Sequence, residues 1–487
     1  MDKKNLTKNK VLSGFLWKFL ERVGAQTVNI IVSIALARII EPSEYGVIAL
    51  TAIFITIGNV FVESGLPTAL IQKKDSDDAD FSTVFYFNVF ISVVIYIALF
   101  IIAPIIANFY KNNVLTDVIR VLGIIIIIAG IKSIQNAYVS KHMIFKKFFI
   151  CTFGGTIFSG ILGIIMAYNN YGVWALVFQQ LSNTLIDTVL LWVFVKWRPK
   201  KIFSLSKLKK LYSFGWKLFM SALLDNLYNN LRGLIIGRKY TSSDLAFYDK
   251  ANQFPNLIVN NINTSIDSVL LPAMSIEQNN QEKIKHITRK AIKYSSYLMW
   301  PLMVGLAVCA PSLVKIILTD KWMDCVVYLR ILCFSYAIWP IHTANLNAIK
   351  AIGRSDLVLK IEVMKKIIGI ISIFFAIPFG VLAIAISLLI IGPINAIINA
   401  YPKQKILNYS IKEQVIDILP YFILACVMGL VIIPIAFCGL NEILTLFLQF
   451  FVGAIFYIIT SIVFKIDVFF EFCNIIVMNI KKIKVQQ

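Results

Sequence analysis

The chain has 487 residues, 58% of them hydrophobic and 15% charged, and a mean hydropathy of +0.77. Soluble domains carry roughly 25% charged residues, so the composition excludes a water-soluble fold and points to a polytopic membrane protein. The formal net charge of +21 is read as cations crowded into the cytoplasmic loops. Nucleic-acid binding is excluded, because no basic, aromatic-interleaved soluble stretch exists to do it.

The basic N-terminus MDKKNLTKNK is followed by no cleavage signature, so the first apolar segment is expected to be helix 1 and not a removable signal peptide. That segment, Phe15 to Gly46, has membrane-spanning length yet carries Lys18, Glu21, Arg22, Gln26, Asn29 and Ser33. At 3.6 residues per turn, Lys18, Arg22, Gln26, Asn29 and Ser33 share one face. A charge at mid-bilayer costs at least ~2.5–3.5 kcal/mol, so the stripe is expected to face protein interior or a water-filled cavity. The next span, near 46–66, places Glu63 close to its cytoplasmic end.

Further apolar spans follow near 83–109, 115–137, 150–168 and 172–195. A basic connection, Trp197 to Lys210, then leads into a second polar-striped helix, Phe214 to Tyr248. There Trp216-Lys217 echoes Trp17-Lys18, Asp225 echoes Gln26, and Gly237-Arg238 echoes Ala37-Arg38. Its stripe holds Lys217, Ser221, Asp225, Asn229 and Arg232. The span after it, near 253–274, carries Asn252, Asn256, Asn260, Asn263 and Asp267 at helical spacing. Spans near 291–318, 326–348, 361–378, 380–400, 415–437 and 443–464 complete the set. The expected fold class is all-α, with about fourteen transmembrane helices in two six-helix lobes related by a pseudo-two-fold, plus two C-terminal helices. The expected lobes are residues 1–210 and 211–412, with 413–487 holding the last two spans and an amphipathic basic tail.

With the N-terminus inside, the even-numbered connections hold about thirty Lys and Arg once both termini are added. The odd ones hold only Arg38, Lys111, Arg238, Lys239, Lys250 and Lys321. Both termini are therefore expected in the cytoplasm. Pro104, Pro301, Pro340, Pro378, Pro393, Pro420, Pro434 and Gly369 interrupt spans and are read as packing kinks.

Catalysis is not expected. There is no P-loop, and His142, His286 and His342 show neither metal spacing nor a partnered nucleophile. The seven cysteines form no C-x-x-C pair and read as small packing residues. No metal site or cofactor is expected.

Ionisable residues inside spans are functional candidates by default. Lys18, Arg22, Lys217 and Arg232 suit phosphate oxygens, and the Asn-rich face of the span near 253–274, with Asn260 and Asn263, suits sugar hydroxyls. Gln26, Asn29, Asp225 and Asn229 are further candidates for the same hydrogen-bonding cavity. Glu63, Asp225 and Asp267 are candidates for proton or sodium coupling. The same residues admit a structural reading: Glu21 neutralising Lys18, Asp225 pairing with Arg232, and the lysines snorkelling to the surface.

The chain resembles the lipid-linked oligosaccharide flippases of the polysaccharide-transporter branch, in the superfamily that also holds the multidrug (MATE) exporters. The closest likeness is to the O-antigen, colanic-acid and teichuronic-acid type. In the first half the likeness rests on Glu21-Arg22-Val23-Gly24-Ala25-Gln26, Leu36-Ala37-Arg38, Pro42-Ser43-Glu44-Tyr45-Gly46 and Asp80-Phe81-Ser82-Thr83-Val84-Phe85. In the second half it rests on Phe214-Gly215-Trp216, Gly237-Arg238, Phe247-Tyr248-Asp249-Lys250-Ala251 and Leu271-Pro272-Ala273. It covers most of residues 10–410. The resemblance implies six-helix lobes around a central cavity, in a bacterial plasma membrane, working by alternating access. The implied substrate is an undecaprenyl-pyrophosphate-linked oligosaccharide, moved from the cytoplasmic to the outer leaflet for cell-surface polysaccharide synthesis. Membrane lipids and the polysaccharide polymerase and export machinery are the implied partners. The competing reading is a MATE-like cation antiporter, whose cavity should hold unpaired carboxylates. Coupling to an ion and trapping of product by downstream polymerisation both remain open.

Overall fold

The structure, a computed structural model, describes Trp17, residues 24–63, 65–73 and 75–474, and Met478. Lys18, Glu21 and Arg22, together with most of the basic tail, lie outside the described residues. No strand occurs among the described residues. The helices are α1 (Gly24–Ile39), α2 (Pro42–Glu63), α3 (Leu66–Gln72), α4 (Asp78–Tyr110), α5 (Val114–Leu122), α6 (Ile124–His142), α7 (Phe145–Tyr168) and α8 (Val173–Phe194). They continue as α9 (Leu205–Lys239), α10 (Ser242–Ile276), α11 (Gln281–Ile317), α12 (Cys325–Ala337), α13 (Trp339–Ala351), α14 (Ser355–Ala376), α15 (Val381–Leu407), α16 (Ile411–Ile432) and α17 (Glu442–Val463).

Ten spans among the described residues are long and apolar enough to cross a membrane, counting α5–α6 and α12–α13 as one span each. Outside that set are the long helices α9, α10 and α14 and the shorter apolar helix α1. Three of them are the polar-striped elements, and α14 carries Glu362, Lys365 and Lys366. Exposed faces elsewhere are densely apolar: Phe90, Ile101 and Ile105 on α4, Phe374 and Phe375 on α14, Phe450 and Ile459 on α17. Such a surface is stable only against hydrocarbon.

The starts of several helices are set by local chemistry. Asp77 caps α4 by accepting from the Asp80 N–H, and Asp80 returns the bond to the Asp77 N–H. Ser410 and Glu413 form the same reciprocal box at α16. Ser204 and Asn280 cap α9 and α11. Of the expected interruptions, Pro104, Pro301, Pro393 and Pro420 sit inside continuous helices. Pro340 opens α13, and Pro378 and Pro434 fall in 3-10 turns.

By packing, the chain divides into two compact units, Met1–Ala246 and Phe247–Gln487. In the first, α7 packs on α8, α4 on α6, and α9 on α2, α3 and α4. Leu66, Leu70, Phe81, Val84, Ile134, Trp197 and Leu208 gather into one core where α3, α4, α6 and the start of α9 meet. Gly46 and Gly65 are required by close approach. A Cβ on Gly46 would lie 1.8 Å from the Ser242 carbonyl oxygen, and one on Gly65, at φ 71°, 2.3 Å from that of Gly215.

In the second unit α11 is the central strut, packing on α12, α13, α16 and α17. Met274, Ile284, Ile292, Ala344, Ala348 and Tyr409 gather into a core in this unit. Residues 467–474 form a further helical stretch. Its Glu471 accepts hydrogen bonds from Lys290 at 3.3 Å and from the Tyr294 hydroxyl.

Candidate functional site

The second polar stripe lies on α9, in the first unit. Lys217, Ser221, Asp225 and Asn229 are exposed along it. Arg232, two turns beyond Asp225, is only 7% exposed. Its guanidinium lies 5.9 Å from the centre of the Tyr228 ring, and its Nε and Nη2 have no hydrogen-bond partner. Those two nitrogens form the edge that grips two oxygens of a carboxylate or phosphate at once. A buried donor pair left without an acceptor is costly. The other side of α9 is anchored by small residues: Gly233 lies against Ile53 and Gly237 against Leu50, both on α2.

On α1, Gln26 is half-buried and Asn29 exposed. The helix is held in the unit by Val32, whose Cγ2 would come within 2.4 Å of a Cβ on Gly160 of α7. Glu63 is exposed at the end of α2.

In the second unit, α10 carries exposed Asn260 and half-buried Asn263, whose Oδ1 is unpartnered. Asp267 is exposed and accepts from Asn347 Nδ2 at 2.8 Å. Asn252 accepts from the Tyr336 hydroxyl at 2.6 Å. The Asn-rich face is thus partly tied to α12 and α13.

Three polar constellations escaped the sequence reading. In the first unit, Lys132 of α6 pairs with Asp187 of α8. In the second, Arg289 of α11 holds Asp417 of α16 through two bonds, of 2.6 and 2.9 Å, and Lys293 adds a third contact at 3.3 Å. Lys403 of α15 is wholly buried; it donates to Asn345 Oδ1 and lies 4.8 Å from the centre of the Tyr409 ring. A lone Lys or Asp inside an apolar span was the available signal for the first pair. Separations of 55 and 128 residues hid the partners. Of the histidines, His142 stacks on Tyr138 and is exposed, and His342 meets Asn399 at 3.0 Å. Cys151, Cys309, Cys325 and Cys333 are buried, and all seven cysteines are free.

The ten apolar spans among the described residues define a multi-pass membrane protein. The fold matches the structure titled "Lipid II flippase MurJ, inward closed conformation", with a TM-score of 0.74 and 15% identity over 93% of this chain and 99% of that one. An inward-facing multidrug resistance MATE family transporter of the MOP superfamily matches with a TM-score of 0.62 and 13% identity, over 79% and 94%. Among curated proteins, the chain is 23% identical to the teichuronic acid biosynthesis protein TuaB of Bacillus subtilis (strain 168), over 87% of this chain and 88% of that one. It is 21% identical to the lipopolysaccharide biosynthesis protein WzxC of Escherichia coli (strain K12), over 85% and 86%. The family described as "Polysaccharide biosynthesis protein" matches residues 35–327, and the chain belongs to that family.

Proposed function

We propose that this protein is a flippase that moves an undecaprenyl-pyrophosphate-linked oligosaccharide from the cytoplasmic to the outer leaflet for cell-surface polysaccharide synthesis. The observation that carries the reading is the buried, unpartnered Nε/Nη2 edge of Arg232 at the end of a polar stripe on α9. Relatives named for teichuronic acid and lipopolysaccharide biosynthesis, and a fold shared with a lipid II flippase, support it.

The physical task is to carry a pyrophosphate and its sugars past ~30 Å of hydrocarbon while the polyprenyl tail stays in lipid. In this reading Arg232 binds phosphoryl oxygens through its free edge, with Lys217, Lys18 and Arg22 adding positive charge along the two stripes. Gln26, Asn29, Asn229, Asn260 and Asn263 exchange hydrogen bonds with sugar hydroxyls in place of water. Asp225, Asp267 and Glu63 are the carboxylates at which a proton or sodium ion would couple. The chain performs no bond chemistry, works by alternating access, and has both termini in the cytoplasm. Its product passes to the polymerase and export machinery.

The test is a leaflet assay for the polyprenyl-linked oligosaccharide in a strain lacking the protein, complemented with wild type or Arg232→Ala. Accumulation on the cytoplasmic face, relieved by wild type only, is the expected result. Absence of any accumulated intermediate would overturn the flippase reading; lost drug resistance with normal surface polysaccharide would put the MATE-like antiporter in its place.

A further inference from the structure

The second unit holds a cavity of about 330 Å³ that the transport reading does not use. Its walls come from α11, the α12–α13 junction, α15 and α16, including Trp300, Ile338, Pro393, Ala396, Ile418 and Phe422. Apart from the Trp300 indole, Gln414 is the only lining side chain with a polar end group. Val415 and Leu419, on the same wall, are exposed, so the cavity is open to the membrane alongside α16.

Gln414 is 4% exposed, and its Nε2 has no hydrogen-bond partner. The orientation of that amide follows from its neighbours. The Lys403 ammonium can only donate, so Asn345 turns Oδ1 toward it. Asn345 Nδ2 then donates to Gln414 Oε1 at 3.2 Å. The relay therefore ends in a buried, unpartnered N–H donor on a residue that lines the cavity, which an acceptor on an occupant would satisfy.

Position and charge narrow the occupant. Gln414 stands in the first turn of α16, and from there to Phe422 the wall runs for about 12 Å at 1.5 Å per residue. That lies within the ~15 Å depth of a single leaflet, half the hydrocarbon core. Around Gln414 stand Lys285, paired with Glu413, and Arg289 and Lys293, paired with Asp417; Lys412 is exposed beside them. Four cations against two carboxylates leave positive charge where a headgroup would sit.

We propose that this cavity holds one acyl chain of an anionic membrane glycerophospholipid, whose ester carbonyl accepts from Gln414 Nε2. An acyl chain reaches one leaflet deep and has its carbonyl at the head end. A bare polyprenyl chain offers no acceptor at that position.

The experiment is quantitative mass spectrometry of lipid co-purifying with the full-length protein in mild detergent. Wild type is compared with Gln414→Glu, Ala396→Trp and, as a control on the exposed face of α17, Ile458→Trp. Gln414→Glu keeps the Asn345 bond but replaces the donor with a second acceptor. Wild type and the control are expected to retain about one anionic phospholipid per chain. Gln414→Glu should retain roughly 2- to 10-fold less, the factor one net hydrogen bond supplies. Ala396→Trp, which fills the cavity, should retain none above background, with size-exclusion profiles confirming that all variants fold. Equal phospholipid in wild type and both cavity variants would overturn the proposal. So would recovery of a polyprenyl carrier in place of phospholipid, or of no lipid with wild type.

Discussion

Lys132 and Asp187 form an ion pair inside the first unit, joining α6 to α8, with Asp187 almost fully buried. Gly155 of α7 lies against the Asp187 backbone and Cβ, so three helices meet at this point. Breaking a buried pair strands a charge and costs about 3–5 kcal/mol, whereas replacing both partners by apolar groups is often neutral. Lys132→Met and Asp187→Leu alone should therefore each lower the thermal stability of the purified protein sharply. The double variant should recover most of the loss. If the single losses simply add, the pair is not the source of the effect.

Arg232 yields the sharpest functional prediction. Arg232→Lys keeps the charge but removes the two-pronged edge. Hydrogen bonds to charged groups are worth about 1.5–3 kcal/mol, so flipping measured by the leaflet assay should fall roughly 10- to 100-fold. Arg232→Ala should fall further. Full activity in Arg232→Lys would show that the edge binds nothing during transport.

Gly46 faces the Ser242 carbonyl so closely that a Cβ would stand at 1.8 Å. A backbone oxygen cannot swing aside as a side chain can. Gly46→Ala should separate α2 from the start of α10 and cost about 1–3 kcal/mol or more, as overpacking does. A lowered melting temperature in detergent is the expected readout, and an unchanged one would refute the close approach.

Asp77, in the turn before α4, supports a pH prediction. The Lys207 ammonium hydrogen-bonded to it, followed by the Asp80 N–H, holds its carboxyl well below the usual carboxylate range. A carboxylate with a depressed folded value stabilises fully above its unfolded value of about 3.9 and loses that contribution as pH falls through the folded value. Wild-type stability should thus gain a slope below pH ~4, which Asp77→Asn flattens. Asparagine still caps the helix, so the difference isolates the tie to Lys207. Superimposable pH profiles would remove Asp77 from the acid response.

The sequence by itself determined the class of the protein, the rough positions of its spans, and the polar stripes. Composition and 3.6-residue periodicity are local properties, and each stripe is written within one helix. The long helices that fall short of the ten apolar spans, α9, α10 and α14, are ones whose polar residues stood out along the chain. The stripe on α9 was legible in the sequence as Lys217, Ser221, Asp225, Asn229 and Arg232 at helical spacing. Only the tertiary structure separated them, leaving Lys217, Asp225 and Asn229 exposed and burying Arg232 with an empty donor edge. Burial depends on what packs against a helix, and no spacing within the helix encodes it. Lys132 with Asp187, Arg289 with Asp417, and Lys403 with Asn345 are likewise products of helix packing. Their partners come from helices far apart in the chain, brought together because a buried charge in a low-dielectric interior must find a counterpart.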